Sequence, residues 1–373
     1  MIRIDVIRIE RRLRQPKWLL FAVPVGSVVV AFAVMSIVLL LTNHPPGHTF
    51  VRLFDTGFVG SRSLNNTLIT ATPLLFTGLA AAVAFRMQLF NIGGEGQLYA
   101  GAILGAAAGI AVGNHSGWIS IPAMIAAGAI GGAALALIPA VLRAFLSTNE
   151  IITSLMLNYV GALVINYLIF DSLSYWRDTS SPSAKVFPQG RPLPDAANWP
   201  VSHIGSLVLP LGLLVGVVIA ILVWLLYSRT RFGFEVQVIG DSPRAASYAG
   251  MRTRRKILAV MALSGAIAGI GGASQDGDIR HSLDPRGLTA AGYGYTGIVI
   301  AALARYNPFA VCLVAFLIGG LQNAGYTLQG VDFPSGLVGV MQGLILFCAL
   351  GGELLVRYRL RLSRRAHAAE ATA

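Results

Sequence analysis

Charged residues are scarce in this chain of 373 residues. Asp, Glu, Lys and Arg together make up 12% of it, whereas about a quarter is usual in a globular protein. Three runs, Trp18–Leu41, Leu211–Tyr227 and Pro308–Gly320, contain no charged side chain at all. A helix needs about 20 apolar residues to cross about 30 Å of hydrocarbon. The sequence therefore excludes an ordinary soluble protein and predicts an all-α polytopic membrane protein.

Cysteine is scarce as well, and the usual catalytic motifs are absent. The 2 cysteines, Cys312 and Cys348, both lie within apolar segments, which favours buried thiols over a disulfide. No zinc-peptidase, serine-hydrolase or dithiol motif occurs. None of the three lysines follows a glycine, which excludes a Walker A loop. We therefore expect no enzyme activity and no cofactor in this chain, so that any ATP-Mg must be bound by a partner.

The segment Gly292–Gly297 matches the pattern G-x-G-x-x-G, but its context is wrong for a cofactor. A dinucleotide site needs this turn between a strand and a helix, with an acidic residue about 20 positions later. Here the segment opens an apolar helix, and no acidic residue occurs between Asp284 and Asp332. We expect a closely packed helix start instead.

The net charge of +12 is concentrated between the apolar runs. With the N-terminus inside, 21 of the 28 Lys and Arg residues fall in cytoplasmic stretches, which is positive-inside topology and not a nucleic-acid surface. We predict about ten transmembrane helices with both termini cytoplasmic. The expected segments lie near 18–41, 66–85, 92–113, 118–141, 150–170, 206–227, 257–273, 290–304, 308–325 and 334–352.

These segments define the expected domains. A basic N-terminus (1–17) precedes a transmembrane domain (18–352), and a basic tail (353–373) follows it. Within the domain, an outer loop (171–205) and a cytoplasmic loop (228–256) are the longest connections. The outer loop contains Tyr175, Trp176 and Trp199, which favours an aromatic belt at the membrane interface, with an outer lid or docking element as the alternative.

A few polar residues lie within the predicted segments, where ionisable groups are costly and suggest function. Glu95 and Glu150 are the acidic ones, although Thr148 or Asn149 followed by Glu150 is also a good helix start. One helix face carries Thr153, Ser154 and Asn158, which could line a path for an uncharged solute or form bonds between helices. The candidate path residues are Asn91, Glu95, Gln97, Glu150, Thr153, Ser154, Asn158, Gln322 and Asn323.

The cytoplasmic loop contains a short helix signal. Asp241 or Ser242 can act as the N-cap, Pro243 suits the first turn, and Gly250 suits a stop. A capped, alanine-rich surface helix between basic clusters favours docking onto a partner over a mere basic connector facing lipid. The predicted docking residues are Asp241, Ser242, Pro243, Arg244, Ala245, Ala246, Ser247, Tyr248, Ala249 and Gly250.

Several of these segments resemble the permeases of ATP-binding cassette (ABC) importers of the branched-chain amino acid and ribose superfamily, over residues 65 to 352. Phe90–Gln97 and Asn149–Tyr159 look like the nucleoside subgroup. Gly240–Met251 and Ser264–Gly269 are similar to the superfamily's coupling loop and its following helix, and Gly292–Gly297 to a family motif.

The resemblance implies a type II importer permease in the bacterial cytoplasmic membrane, surrounded by lipid. It further implies a second homologous permease, a tandem ABC ATPase coupled through residues 241–250, and an extracytoplasmic receptor that delivers a nucleoside. With this coupling, we expect a bulky acidic residue in place of Pro243 or Ala246 to leave insertion intact and to abolish ATP-dependent uptake. A simple-sugar permease and an ion-coupled secondary transporter are the alternatives.

Overall fold

The computed structural model describes residues 7–11, 17–113, 115–180, 182–329 and 336–362. The rest of the predicted basic termini, at 1–6, 12–16 and 363–373, lies outside this range. The described helices are α1 (Lys17–Leu41), α2 (Pro46–Phe58), α3 (Ser61–Phe85), α4 (Gly94–Val112), α5 (Gly117–Leu146), α6 (Glu150–Asn166), α7 (Pro182–Val186), α8 (Leu211–Arg229), α9 (Arg231–Asp241), α10 (Pro243–Tyr248), α11 (Thr253–Ser274), α12 (Pro285–Ala291), α13 (Tyr293–Leu303), α14 (Pro308–Leu328) and α15 (Leu337–Arg357). The strands are β1 (Ile7–Arg11), β2 (Val201–Ile204), β3 (Leu207–Pro210) and β4 (Tyr358–Leu362).

Among the described residues, seven helical segments are long and apolar enough to cross a membrane, so the chain is a multi-pass membrane protein. An eighth results if residues 25–41 and 46–58 form one span. The larger predicted total of about ten spans, and the orientation of the termini, stay predictions. The seven are Ser61–Phe85, Gly94–Val112, Gly117–Leu146, Glu150–Asp171, Leu211–Arg229, Thr253–Arg280 and Pro308–Leu328.

The chain divides into two compact units. The smaller comprises residues 1–46 and 339–373 and holds α1 and most of α15. In it, the Ser27 hydroxyl donates to the Cys348 carbonyl at 2.9 Å, and β1 pairs antiparallel with β4. Together with the β2–β3 hairpin, this pair corrects the expectation of a purely helical chain, although helices dominate.

The larger unit, residues 47–338, is held together where α4, α5 and α11 cross at glycines. A Cβ added at Gly101 would collide with the backbone of Gly269, and one at Gly269 with the Gly128 carbonyl. Gly132 and Gly265 meet in the same way. With no side chain at these positions, the helix backbones touch.

Two predicted segment boundaries differ from the structure, one at the start of a segment and one at its end. The segment expected at 206–227 begins as the β2–β3 hairpin, so that the helix starts at Leu211. The segment expected to end at residue 273 continues through a π-helical turn, Gln275–Arg280. Because of this extension, Asp276 and Asp278 lie inside a candidate span.

Candidate functional sites

A buried polar network surrounds the break between α3 and α4, at residues 86–93. The Asn91 amide donates to the Gln97 side-chain oxygen and to the Ser264 hydroxyl, both at 2.9 Å, and Gln97 donates back to Asn91 at 2.9 Å. Ser264 in turn donates to the Ala80 carbonyl at 2.7 Å. The network thus ties the chain break to both α3 and α11, and each bond satisfies a group that would be costly to bury unpaired.

The polar face predicted on α6 packs onto the same break. Asn158 accepts from the Gly96 amide at 2.8 Å and donates to the Ile92 carbonyl at 2.9 Å. The Ser154 hydroxyl accepts from the Ile92 amide at 3.3 Å. Both side chains are buried, and their hydrogen bonds join α6 to the α3–α4 break. This arrangement matches the second interpretation of the polar face, bonding between segments, better than the lining of a path.

Glu95 joins two helix starts. Its carboxylate accepts from the Tyr99 hydroxyl at 2.6 Å, on the same helix, and from the Gly294 amide at the start of α13. A carboxylate is favoured at a helix N-terminus because the first amides have no partner within the helix. A Cβ at Gly294 would collide with the Glu95 backbone, so the 292–297 segment is the closely packed helix start that its sequence indicated.

We expect Glu95→Leu to lower the thermal unfolding temperature of the detergent-solubilised protein. It would leave the Tyr99 hydroxyl and the Gly294 amide buried without an acceptor, which costs about 1–3 kcal/mol per group. Glu95→Gln retains one acceptor oxygen and should lose less. If Glu95→Gln instead abolished transport at an unchanged unfolding temperature, Glu95 would act in translocation and not in holding α13.

Glu150 and Thr153 lie at the start of α6. Asn149 is the N-cap, since its side-chain oxygen accepts from the Ile151 amide at 2.9 Å. The Glu150 carboxylate lies 3.3 Å from the Arg143 guanidinium, and the Thr153 hydroxyl donates to the Asn149 carbonyl at 3.1 Å. These contacts favour helix capping over a role in a path.

Gln322 and Asn323 of α14 contact two different helices, α13 and α3. Gln322 donates to the Thr296 hydroxyl at 3.3 Å, and Asn323 donates to the Thr67 hydroxyl at 3.2 Å. Asn323 also lines a cavity of about 380 Å³, together with Arg62, Asn66 and Thr327. Asn323 is therefore a predicted path residue that lines a cavity.

A second cavity, of about 290 Å³, is lined by residues that sequence reasoning missed: Thr70, Gln275, Arg280, Tyr293 and Tyr326. The signal for Tyr293 was present, because it lies within the glycine motif. Gln275 and Arg280 were overlooked because the span was expected to end before them.

The outer loop folds over the π-helical turn. Trp199 is only 3% exposed, and its amide donates to the Gly277 carbonyl at 3.0 Å. The Trp176 ring nitrogen donates to the Ile103 carbonyl at 2.8 Å. A membrane-interface belt requires rings that reach the headgroups, so the belt prediction is wrong for Trp199, and a folded cover describes this loop better.

The short helix predicted in the cytoplasmic loop is present as α10, and its docking role stays a prediction. The Ser242 hydroxyl accepts from the Ala245 amide at 3.4 Å, Pro243 occupies the first turn, and Gly250 ends the motif with a φ of +72°. Asp241 is not the cap, because it ends the preceding helix α9, which the sequence did not indicate.

The side chains of α10 divide by exposure. Ala246 is fully buried within the loop, whereas Tyr248 is 93% exposed. A bulky acid at position 246 would therefore disrupt the loop itself. The test expected from sequence is unsuitable there, and Tyr248 is the better probe of docking.

Ion pairs fix this loop to the start of α11. The Glu235 carboxylate lies 2.7 Å from the Lys256 ammonium and 3.2 Å from the Arg231 guanidinium. Lys256, which donates a hydrogen bond to Glu235, keeps the pKa of that carboxyl below its usual range. The stabilisation is therefore present at neutral pH and is lost as the pH falls through the lowered pKa. Beside this pair lies a groove of about 590 Å³ that Phe234, Gly250 and Arg255 help to line.

Comparison with known proteins identifies a family whose sequence pattern this chain matches. Residues 63–350 match the family described as branched-chain amino acid transport system / permease component. The glucose ABC transporter permease protein TsgB13 of Haloferax volcanii is 32% identical, over 98% of this chain and 97% of its own length. The nucleoside ABC transporter permease protein NupB of Lactococcus lactis is 27% identical, over 94% and 96%. The guanosine ABC transporter permease protein NupP of Bacillus subtilis is 29% identical, over 87% and 91%.

Proposed function

Because this chain belongs to the family of branched-chain amino acid transport system permease components, we propose that it is the permease subunit of an ABC importer for nucleosides. Its place is the bacterial cytoplasmic membrane, with the type II importer fold. The observation that carries the substrate class is its similarity, over most of its length, to relatives named for nucleoside and guanosine transport.

The ATP chemistry belongs to a separate tandem ATPase that docks on α10. Support comes from the exposure of Tyr248 on a capped helix that lies between α9 and α11, the two helices that the Glu235–Lys256 pair joins. Movement of α10 passes through this pair to α11, which carries Ser264 of the buried network and ends at the π-helical turn. A second homologous permease completes the path, and an extracytoplasmic receptor delivers the substrate.

The path residues proposed from sequence then take different roles. Asn91, Gln97, Ser154 and Asn158 hold the α3–α4 break in place, since the described bonds already engage their polar groups. Such a scaffold transmits movement as a unit because its members cannot separate without leaving buried polar groups unpaired.

A simple-sugar importer is the second candidate, because the relative TsgB13 is named for glucose and is 32% identical. Both candidates share the fold, the docking helix and the need for an ATPase. They differ in whether the solute carries an aromatic base.

Uptake measurements distinguish these functions. We expect cells that express this permease with its second permease, ATPase and receptor to accumulate radiolabelled guanosine, to stop when ATP is depleted, and to continue with an uncoupler while ATP is maintained. Cells without this chain are the control. Accumulation of glucose alone would favour the sugar importer, and collapse with the uncoupler at maintained ATP would favour a secondary transporter.

A further inference from the structure

The cavity of about 290 Å³ beside the π-helical turn, lined by Thr70, Gln275, Arg280, Tyr293 and Tyr326, is hereafter the Gln275 cavity. It lies where α3, α14, the α12–α13 junction and the turn itself meet. Gly277 in this turn is covered by Trp199 of the outer loop, so the cavity belongs to the outer-loop end of α11. Its volume is near the lower end of small-molecule sites, about 300–1,000 Å³.

One polar group in its wall lacks a partner. Gln275 is 2% exposed, and its side-chain nitrogen makes no hydrogen bond with the described residues. A buried amide donor normally finds an acceptor, because leaving it unpaired costs the lost hydration. This nitrogen lies below the cavity surface, although Gln275 lines the cavity. Because the terminal torsion of a glutamine is broad and roughly two-fold, a half turn of the amide would bring the donor to an acceptor on a bound solute.

Two tyrosines line the same space. Tyr326 is 55% exposed and Tyr293 is 9% exposed, and both line the cavity. Ring faces of this kind stack on nucleobases regardless of which base is present. Their phenol groups, with the Thr70 hydroxyl, offer polar partners for ribose hydroxyls.

The charge in the cavity excludes an ionic solute. Arg280 is the one cation among the described lining residues, and it is paired with Asp284 at 3.1 Å. No carboxylate occurs among those lining residues. A nucleotide would bring phosphate charges that require unpaired arginines or lysines, whereas an uncharged nucleoside would not.

We propose that the Gln275 cavity binds the nucleoside during translocation. The Gln275 amide donates to an acceptor on the base, and Tyr326 stacks on its face. This assignment rests on the proposed nucleoside function and adds to it a site within the permease, separate from selection by the receptor.

The test uses the complete reconstituted complex of this chain with its second permease, ATPase and receptor in proteoliposomes. We measure radiolabelled guanosine transported and ATP hydrolysed at subsaturating guanosine. Gln275→Leu and Tyr326→Leu should each lower guanosine transport about tenfold, from loss of the amide donor or of base stacking. Receptor-stimulated ATP hydrolysis should stay within about twofold, since α10 is unchanged. Tyr167→Leu, a change at an exposed tyrosine outside the cavity, is the control and should transport normally.

Unchanged guanosine transport in both leucine variants would overturn the cavity assignment and leave the nucleoside function standing. Transport of glucose but not guanosine by the wild-type complex would reject the function itself. Photolabelling of the wild-type complex with 8-azidoguanosine avoids any folding defect: label on peptides that contain Gln275, Tyr293 or Tyr326 supports the site, and label confined to other peptides overturns it.

Discussion

Tyr248→Glu is expected to abolish ATP-dependent uptake while the permease still inserts in the membrane at its normal level. Tyr248 is 93% exposed at the end of α10, so its replacement should change the free energy of folding by less than about 0.5 kcal/mol. An aromatic anchor in a docking interface contributes about 2 kcal/mol or more, and an unpaired carboxylate placed in the partner's groove adds its own desolvation cost. We therefore expect uptake to fall at least about 30-fold, since every 1.4 kcal/mol is tenfold in affinity.

The measurement separates docking from folding. Co-purification of the ATPase with the permease, guanosine uptake and the membrane content of the permease are compared in one strain. Tyr248→Phe keeps the ring and should behave as the wild type. An uptake of more than half the wild-type rate in Tyr248→Glu, with the ATPase still bound, would contradict docking through the exposed face of α10.

Local sequence signals predicted the helix starts well. The cap at Ser242 and the cap at Asn149 depend on side chains within three residues of the amides they serve, so they can be recognised from spacing alone. The same holds for the Gly292–Gly297 helix start, whose glycines indicate close approach even before the neighbour is known.

The partners of the buried polar groups could not be predicted in this way. Asn91 and Ser264 are 173 positions apart, and Glu95 and Gly294 are 199 apart. A polar side chain in a membrane helix can line a path or bond to another helix, and only the tertiary arrangement distinguishes the two roles. Spacing therefore identified the polar residues that meet at the α3–α4 break but left their role open.

The Gln275 cavity was missed for a related reason. The run Gln275–Arg280 contains two aspartates and an arginine, so hydropathy ends the span before it. The backbone continues as a π-helix because the outer loop covers it: the Trp199 amide donates to the Gly277 carbonyl, and the Leu193 amide donates to the His281 carbonyl at 2.8 Å. The residues of this run alone give no sign that the outer loop packs over it.

Gly269→Ala is expected to destabilise the larger unit strongly, because the added methyl group would collide with the Gly128 carbonyl at the crossing of α5 and α11. Overpacking of this kind costs about 1–3 kcal/mol, occasionally more, and backbone atoms cannot move aside as a flexible side chain can. Gly26→Ala is the matched control, since a Cβ there meets no atom within 4 Å. In a helix interior such as that of α1, this change should be neutral or stabilise by up to about 1 kcal/mol.

The two native cysteines can report the unfolding of each variant, so no further labelling site has to be introduced. Cys312 lies in α14 of the larger unit and Cys348 in α15 of the smaller one, and both are free and half-buried. A thiol-reactive fluorophore followed during heating in detergent should react at a clearly lower temperature in Gly269→Ala than in the wild type, and at an equal or higher one in Gly26→Ala. In Cys348→Ala the signal comes from Cys312 alone, so a lowered transition there places the damage in the larger unit. Equal transitions for the two alanine variants would contradict the close approach of the α5 and α11 backbones at Gly128 and Gly269.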